Sequence, residues 1–343
     1  MSDVTLIGID LGKHSFHLHG QDKAGRMVFR KKLTRSQMFT QLSNFPSCTV
    51  VMEACAGAHW VARRVAALGH QAKLISPQFV KPFVQSNKND FADAQAICEA
   101  ASRPSMRFVS PRTEAQQTIS ALHRVREALV RDRTATINQI HGFLLEFGVS
   151  LPKGPAIIKR LPAVLVEHEA TLPPRLIGIV ERLRAHFKYL SEQMVELERE
   201  LTQQLSEDDM SSRLLEIPGV GPITASVLAT ELGDAKQYAN ARQFAASVGL
   251  VPRQYSTGGK PTLLGISKRG DKNLRRLLVQ CARVIMLRIE QRHDALGAWV
   301  RTMLTRRHSN VVACALANKL ARIAWAILAK GTHYDSGQAA ATA

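Results

Sequence analysis

Residues 4–10 read VTLIGID and residues 49–53 read TVVME. Both are short apolar runs, and each ends in an acid, Asp10 in the first and Glu53 in the second. Such runs predict buried strands, and strands that alternate with helices predict an α/β domain over roughly 1–105. The other elements predicted in this domain are strands at 14–19, 26–33 and 72–76, a hairpin turn at 22–25, and helices at 58–68 and 90–101.

The pattern turns helical from Thr113 onward. Apolar residues at near-helical spacing predict a helix over 113–147, and five prolines within 152–174 predict a connector with at most short helices. Between Val180 and Leu205 apolar residues recur at alternating spacings of three and four, which is a heptad seam. The seam predicts a long helix that is either an antiparallel partner of the first helix or part of a dimeric coiled coil.

A second compact region is expected after residue 208. Residues 211–232, SSRLLEIPGVGPITASVLATEL, predict two helical stretches separated by Pro-Gly-Val-Gly-Pro. The other expected features are a helix at 241–248, a loop and hairpin over 250–270, long helices at 271–290 and 309–330, and a disordered tail at 335–343.

The composition excludes several classes of protein. The 343 residues include 46 Lys and Arg against 28 Asp and Glu, a formal net charge of +18. No run of about 18 apolar residues lacks a charge, so we expect no membrane helix, and we do not expect the N-terminal segment to be a secretory signal. Five scattered cysteines without a C-x-x-C pair argue against a disulfide scaffold or a zinc ribbon and fit a reducing cytosol.

The positive charge favours a polyanionic partner, because basic side chains neutralise phosphates and release counterions. A third of the excess charge lies in residues 253–276, a loop-like stretch with seven basic groups and one acid, Asp271. We interpret this stretch as a nucleic-acid contact, with a solvated basic surface as the alternative. Its seven basic groups are Arg253, Lys260, Lys268, Arg269, Lys272, Arg275 and Arg276.

Four carboxylates of the first domain suggest a metal site. Asp10 and Glu53 end strands, and Asp90 and Asp93 lie one turn apart on one helix face. Two Mg²⁺ ions about 4 Å apart, held by oxygen ligands, can hold the attacking and leaving oxygens of a phosphoryl transfer. The alternatives are that a strand-end acid merely begins a loop and that Asp90 merely caps its helix.

The HSFHLH segment at 14–19 offers further possible ligands. His17 and His19 share one strand face, and His14 points the other way. We expect exposed strand histidines here rather than a zinc site. Cys55 is interpreted as a small core residue.

Two glycine-containing segments are candidates for contact with phosphate. Gly219 and Gly221 precede an apolar helix, which resembles a helix-hairpin-helix; an ordinary helix–helix turn is the alternative. The segment YSTGGK, residues 255–260, places three hydroxyls before two glycines inside the basic stretch. Any of the three hydroxyls could be a nucleophile if a base or a metal activates it, and a flexible phosphate-binding hairpin is the alternative.

Together these motifs resemble the DEDD transposases of the insertion-sequence one-ten family, eleven-eleven subgroup, and look like those of the bridge-RNA-guided (also called seeker-RNA-guided) recombinases. The resemblance spans nearly the whole chain in the family's order. It is carried by IGIDLGKHSFHLHG, VVMEACAGAHW, NKNDFADAQAICEA, IPGVGPITASVLATELGD, FAASVGLVPRQYSTGGKPTLLGISKRGDKNLRRLLVQCAR and NKLARIAWAIL.

The resemblance implies a RuvC-like, RNase H-fold domain over 1–110 that contains the four acids, a helical linker and coiled-coil dimerisation region over 111–208, and a mostly α-helical transposase domain over 209–334. It implies a tetramer in the bacterial cytoplasm, two dimers that bridge donor and target DNA, with acids from one protomer and a nucleophilic serine from another. A noncoding guide RNA from the element would select both DNAs by base pairing.

The nucleophile position departs from the family pattern. Many relatives carry Ser immediately before the first Gly, where this chain has Thr257, and Ser256 lies one residue earlier. We expect Ser256 to attack a DNA phosphodiester and form a covalent phosphoserine link. Thr257 is the rival, and Tyr255 is third.

Two other functions stay open. A RuvC-like metal-dependent nuclease or resolvase would use water as its nucleophile and would form no covalent protein–DNA intermediate. A non-catalytic RNA-binding or architectural protein would keep all activity after Asp10→Asn and Glu53→Gln, but the four acids and the STGG loop argue against it.

Overall fold

The structure is a computed structural model and describes residues 4–85 and 89–337. The chain forms two compact units, of which the first ends at Gln117 and the second begins at Thr118. Of the tail predicted at 335–343, residues 338–343 lie outside the described residues.

The first unit is built on a six-stranded mixed sheet. Its elements are β1 (Leu6–Leu11), β2 (Ser15–Gln21), β3 (Met27–Thr34), α1 (Arg35–Ser43), β4 (Thr49–Glu53), α2 (Ala58–Ala67), β5 (Gln71–Ile75), α3 (Pro77–Val80), a 3₁₀ turn (Lys81–Phe83), α4 (Asp90–Ala101) and β6 (Phe108–Val109). The strand order is β3-β2-β1-β4-β5-β6; the β1–β4 and β4–β5 pairs are parallel and the other pairs are antiparallel. The predicted α/β domain is confirmed, although the sequence patterns missed α1, α3 and β6.

Helices cover both faces of this sheet, because side chains of a strand point alternately to its two faces. On one face, α1 and α2 pack against fully buried residues such as Ile7, Ile9 and Met52. On the other face, α4 packs against Val51 and Ile75. Both faces are therefore removed from water, which explains the apolar runs of β1 and β4.

Gly8 sets the distance between α4 and the sheet. A Cβ atom at this position would lie 2.4 Å from the carbonyl oxygen of Ala94 and 2.7 Å from Sγ of Cys98. The Cys98 thiol donates a hydrogen bond to the carbonyl oxygen of His19 (3.3 Å), so α4 also contacts β2. The missing side chain at Gly8 therefore allows α4 to lie directly on β1 and β2.

Three helices follow along the chain: α5 (Glu114–Leu145), α6 (Ile157–Glu167) and α7 (Pro174–Ser206). Arg126 of α5 donates from Nε to Glu198 of α7 (2.8 Å), and Ile140 of α5 shares a buried cluster with Val180 of α7. Hence α5 and α7 run antiparallel, which is the first of the two alternatives for the heptad seam. The buried residues of α7 are those of the seam: Val180, Phe187, Leu190, Met194, Leu201 and Leu205.

The rest of the second unit is mostly helical, as predicted. Its elements are α8 (Asp209–Ser212), a 3₁₀ turn (Arg213–Glu216), α9 (Pro222–Leu232), α10 (Ala241–Ser247), β7 (Pro252–Gln254), β8 (Leu263–Ile266), α11 (Lys272–Leu287), a 3₁₀ turn (Ile289–Gln291), α12 (Ala295–Leu304) and α13 (Ser309–Lys330). The antiparallel pair β7 and β8 is the expected hairpin within 250–270. The sequence patterns did not predict α12.

One helix among the described residues, α13, is long and apolar enough to cross a membrane by length and composition alone. Most of it is buried against α9, α10 and α11 in the core of the second unit. Its apolar character is therefore explained by the core of the protein, and it is weak evidence for a membrane span.

Candidate active site

Two of the predicted metal ligands lie side by side at one edge of the sheet. β1 and β4 are parallel, with Ile9 opposite Met52, so Asp10 and Glu53 are the next residues on their strands. Burial raises the pKa of the Glu53 carboxyl, and the negative charges of Asp10 and then Asp93 raise it further. Glu53 therefore lies close enough to Asp10 and Asp93 for their charges to act on its carboxyl.

The other two predicted acids, Asp90 and Asp93, lie in the first turn of α4. The N-cap of this helix is Asn89, whose side chain accepts a hydrogen bond from the backbone N–H of Phe91 (3.0 Å). Asp90 is the first residue inside the helix, so the alternative in which Asp90 caps it is wrong. Asp90 Oδ2 lies 3.5 Å from Nδ1 of His17, which in turn lies 4.0 Å from Asp10 Oδ2. The structure thus brings all four predicted acids to one site.

His17 is the residue of this site whose role the sequence analysis missed. His17 and His19 were expected to be exposed, but their exposed fractions are only 5% and 2%. The expectation was wrong because β2 is an inner strand whose face is covered by α4, a helix more than 70 residues away in the chain. The available signal was the hairpin itself, because antiparallel pairing of β1 with β2 places His17 directly opposite Asp10.

These residues fit a divalent cation. Single ligand atoms from Asp10, His17 and Asp90 all lie within 4.8 Å of one another, the one such group found among the described residues. Burial is the main cause of the raised pKa of the nearby Glu53 carboxyl, and the negative charges of Asp10 and Asp93 add to it. A bound cation would offset this repulsion between the acids.

Cys55 lies just beyond Glu53 but is exposed, so its interpretation as a core residue is wrong. Partial desolvation raises the pKa of its thiol, and the negative charges of Glu53 and Asp10 raise it further. A thiol with a raised pKa is a poor nucleophile at neutral pH, and the structure gives Cys55 no catalytic role.

The predicted nucleophile loop forms the tip of the β7–β8 hairpin. Gly258 and Gly259 have φ of +57° and +76°, as in a type I′ turn between Thr257 and Lys260. Ser256 is exposed, and its Oγ accepts a hydrogen bond from Nε2 of Gln254 (2.8 Å). Ser256 and Gln254 therefore share one face of the hairpin, while the alternation of side chains puts Thr257 on the other.

Two family models match the chain. One, described as a transposase and built on IS110 DEDD transposases, matches residues 7–148 and covers the four acids. The other, described as the transposase IS116/IS110/IS902 family, matches residues 211–298 and covers the hairpin and the basic stretch.

Related proteins match over almost the full chain. A transposase for insertion sequence element IS1328 from Yersinia enterocolitica is 64% identical over 335 residues, covering 98% of this chain and 100% of the relative. A probable family 20 transposase from Pseudomonas aeruginosa is 45% identical over 337 residues, with 98% and 100% covered. A transposase for insertion sequence element IS1111A from Coxiella burnetii is 40% identical over 339 residues, with 98% and 93% covered.

The chain belongs to the IS110 family of insertion-sequence transposases. The family membership that the sequence motifs suggested is thereby confirmed. An IS110 transposase acts on DNA, which it cuts and rejoins, and the DEDD domain indicates the use of a divalent metal.

The basic residues within 253–276 of this IS110 transposase differ in their exposure to solvent. Six of the seven predicted basic side chains are exposed: Arg253, Lys260, Lys268, Arg269, Lys272 and Arg276. Arg275 is half-buried, and its Nη1 donates to the backbone carbonyls of Val248 and Arg269, both at 2.8 Å. Arg275 therefore ties the loop before α11 to the end of α10.

The two glycines of the predicted helix-hairpin-helix lie in different surroundings. Gly219 has φ of +75°, and a Cβ there would lie 2.8 Å from Cγ1 of Ile285 and 2.9 Å from the carbonyl oxygen of Cys281. Close packing against α11 therefore explains why residue 219 is a glycine. Gly221 faces open space, and the first helix of the motif is only α8 and the 3₁₀ turn after it.

Proposed function

We propose that this IS110 transposase is an RNA-guided DNA recombinase in which Asp10, Glu53, Asp90 and Asp93 hold two Mg²⁺ ions and Ser256 supplies the nucleophile. The observation that carries the proposal is the convergence of carboxylates from β1, β4 and α4 at one edge of the sheet. A meander of three antiparallel strands followed by two parallel strands supports a RuvC-like, RNase H-like fold for this unit.

The reaction is a phosphoryl transfer. Ser256 Oγ attacks the phosphorus of a DNA phosphodiester, so that a P–Oγ bond forms while one P–O bond of the DNA breaks and leaves a free DNA hydroxyl. Attack by a DNA hydroxyl on the phosphoserine then rejoins the strand and frees Ser256. Metal ions bound by the acids would activate the serine hydroxyl and stabilise the charge that develops on the phosphate.

Ser256 needs a metal ion for activation because its hydrogen-bond partner, Gln254, cannot accept the hydroxyl proton. Gln254 donates its amide N–H to Ser256 Oγ, which orients the hydroxyl, but an amide is not a general base. The acids belong to the first unit and Ser256 to the second. We place the two sets on different protomers of a tetramer that assembles from dimers through the α5–α7 region.

The nucleic-acid partners are donor DNA, target DNA and a noncoding RNA encoded by the element. The six exposed basic side chains of 253–276 support contact with the nucleic-acid backbone. Gly221 is the remaining candidate for a backbone contact at the start of α9, in a shortened helix-hairpin-helix. Guidance by RNA and action in the bacterial cytoplasm rest on the family resemblance.

A covalent adduct tests the proposal. Full-length protein is mixed with Mg²⁺, the RNA transcribed from the flanks of the element, and labelled donor and target DNA, and DNA attached to protein is detected on a denaturing gel. Ser256→Ala is compared with Thr257→Ala, a matched removal of the neighbouring hydroxyl. We expect the adduct in wild type and Thr257→Ala but not in Ser256→Ala, and we expect it to require the RNA.

Other outcomes distinguish the alternatives. Loss of the adduct only in Thr257→Ala keeps the mechanism and moves the nucleophile by one residue. Cut DNA without an adduct in any variant contradicts the serine mechanism and supports a RuvC-like nuclease or resolvase that uses water. An adduct that forms equally well without RNA contradicts guidance by RNA.

A further inference from the structure

We infer that His17 is a nitrogen ligand of a divalent cation that it shares with Asp10 and Asp90, and that this ligand makes the site bind Mn²⁺ more tightly than Mg²⁺. The inference rests on the proposed function, because it concerns the metal site formed by the acids. It concerns a histidine on β2, outside the set of four carboxylates.

The first argument is that His17 Nδ1 is buried without a partner. The side chain is about nineteen-twentieths buried, and among the described residues Nδ1 has no hydrogen bond. The nearest acceptors are carboxylate oxygens of Asp90 at 3.5 Å and Asp10 at 4.0 Å, which is too long for good hydrogen bonds. A buried nitrogen without a partner is rare in folded proteins. Nδ1 of His19 shares this feature, so it is the two carboxylates beside Nδ1 of His17 that mark His17 as the ligand.

The second argument is the spacing of the three ligand atoms. Two atoms that each lie about 2.1 Å from one cation are separated by roughly 3.0–4.2 Å, depending on the angle between the two bonds. The distances from His17 Nδ1 to Asp90 and Asp10 fall within that range. These atoms are therefore too far apart for hydrogen bonds but have the spacing of ligands that share one metal ion.

The third argument is that the imidazole ring is held in place before a cation binds. The pairing of β2 with β1 places His17 opposite Asp10. The ring of Phe91 packs edge-on against the imidazole with centroids 4.8 Å apart, and the guanidinium of Arg30 lies 4.6 Å from the centre of the Phe91 ring. A ligand fixed in this way loses little conformational entropy when it binds a metal.

The metal preference follows from the ligand atoms. Mg²⁺ binds oxygen ligands and accepts nitrogen reluctantly, whereas Mn²⁺ accepts imidazole together with carboxylates. Loss of the nitrogen ligand should therefore weaken Mn²⁺ binding by at least about tenfold and change Mg²⁺ binding much less.

Pulsed electron paramagnetic resonance tests the inference without DNA or turnover. Mn²⁺ is added to the full-length protein, and the spin echo is examined for coupling to a ligand nitrogen, with Kd for Mn²⁺ and Mg²⁺ measured in parallel. We expect nitrogen coupling in wild type, its loss in His17→Gln, and its retention in His19→Gln. His19 is a matched control because it is equally buried on the same strand face but contacts Gln21 rather than the acids.

A second measurement covers the case in which His17→Gln fails to fold. Labelling the histidines of wild-type protein with ¹⁵N should change the coupling pattern, and Asp10→Asn should abolish it. Mn²⁺ that binds in an Asp10-dependent way without any nitrogen coupling overturns the inference and leaves the proposed function intact. Failure of both Mn²⁺ and Mg²⁺ to bind overturns the metal site of the proposed function as well.

Discussion

Gly8→Ala should impair DNA cleavage by moving α4 rather than by removing a functional group. The new Cβ would lie 2.4 Å from the carbonyl oxygen of Ala94, whereas real Cβ contacts are essentially never closer than 3.0 Å. The helix backbone must therefore move away from β1 by at least 3.0 − 2.4 = 0.6 Å. Because α4 contains Asp90 and Asp93, the distances from these acids to Asp10 change by a similar amount.

The expected magnitudes follow from that displacement. Overpacking of this kind costs about 1–3 kcal/mol of the free energy of unfolding. A misplacement approaching 1 Å at a reacting centre reduces the rate by up to about 100-fold. Urea unfolding measures the first effect, and the rate of metal-dependent DNA cleavage, at a temperature where all variants are folded, measures the second.

Two control variants separate displacement from simple loss of stability. Gly142→Ala introduces the same methyl group in the last turn of α5, where no other atom lies within 4 Å, and should stabilise the protein by at most about 0.5–1 kcal/mol without changing cleavage. Val65→Ala removes buried volume from α2 on the other face of the sheet and should cost about 2 kcal/mol with little effect on cleavage. The reasoning is refuted if Gly8→Ala cleaves DNA at the wild-type rate, or if Val65→Ala is impaired to the same extent.

Two further predictions concern the second unit. Burial lowers the pKa of His123 to about 4 from its ordinary value of 6.5, so the neutral ring stabilises the fold above about pH 6.5 and this contribution is lost as pH falls toward 4. We expect the free energy of unfolding to fall by about 2 kcal/mol more between about pH 7 and pH 5 in wild type than in His123→Gln, and equal slopes in the two proteins would contradict this. Arg275→Ala should lower the midpoint of thermal unfolding, because the backbone carbonyls of Val248 and Arg269 lose their hydrogen-bond donor. Arg276→Ala, at an exposed site, should leave that midpoint unchanged. It should instead weaken DNA binding, and most strongly at low salt. Thermal unfolding measures the midpoints of both variants, and fluorescence anisotropy measures their DNA binding. A lowered midpoint in Arg276→Ala together with weakened DNA binding in Arg275→Ala would contradict this assignment.

Most elements of the fold could be predicted from local patterns. The strand over 49–53 and the helix over 90–101 have the predicted limits, because apolar runs and caps act within a few residues. α1 and the two-residue strand β6 were missed because neither has a strong local period; β6 is a strand only because it pairs with β5. The packing partner of the heptad seam could not be chosen, since a buried stripe on a helix is the same whichever helix covers it.

The candidate site could be predicted only in part, because local patterns do not show which distant residues meet in the fold. Asp10, Glu53, Asp90 and Asp93 stand at the ends of elements, where the sequence itself indicates a common edge. His17 lies inside a strand, and its burial depends on a helix that begins at Asp90. Arg275 could not be told from its basic neighbours, because one of the two carbonyls that accept its hydrogen bonds belongs to Val248, at the end of α10.

By itself the sequence determined the order of most strands and helices, the excess of positive charge, the four acids and the hydroxyl-glycine loop, since each depends on residue type and short-range spacing. Only the tertiary structure decided that His17 is buried between Asp10 and Asp90, that the seam of α7 packs on α5, and that Ser256 and Thr257 lie on opposite faces of a hairpin. These features arise from contacts between residues far apart in the chain or from the exact pairing of strands. The free energy of such contacts depends on which surfaces meet after folding, and a local pattern does not contain that information.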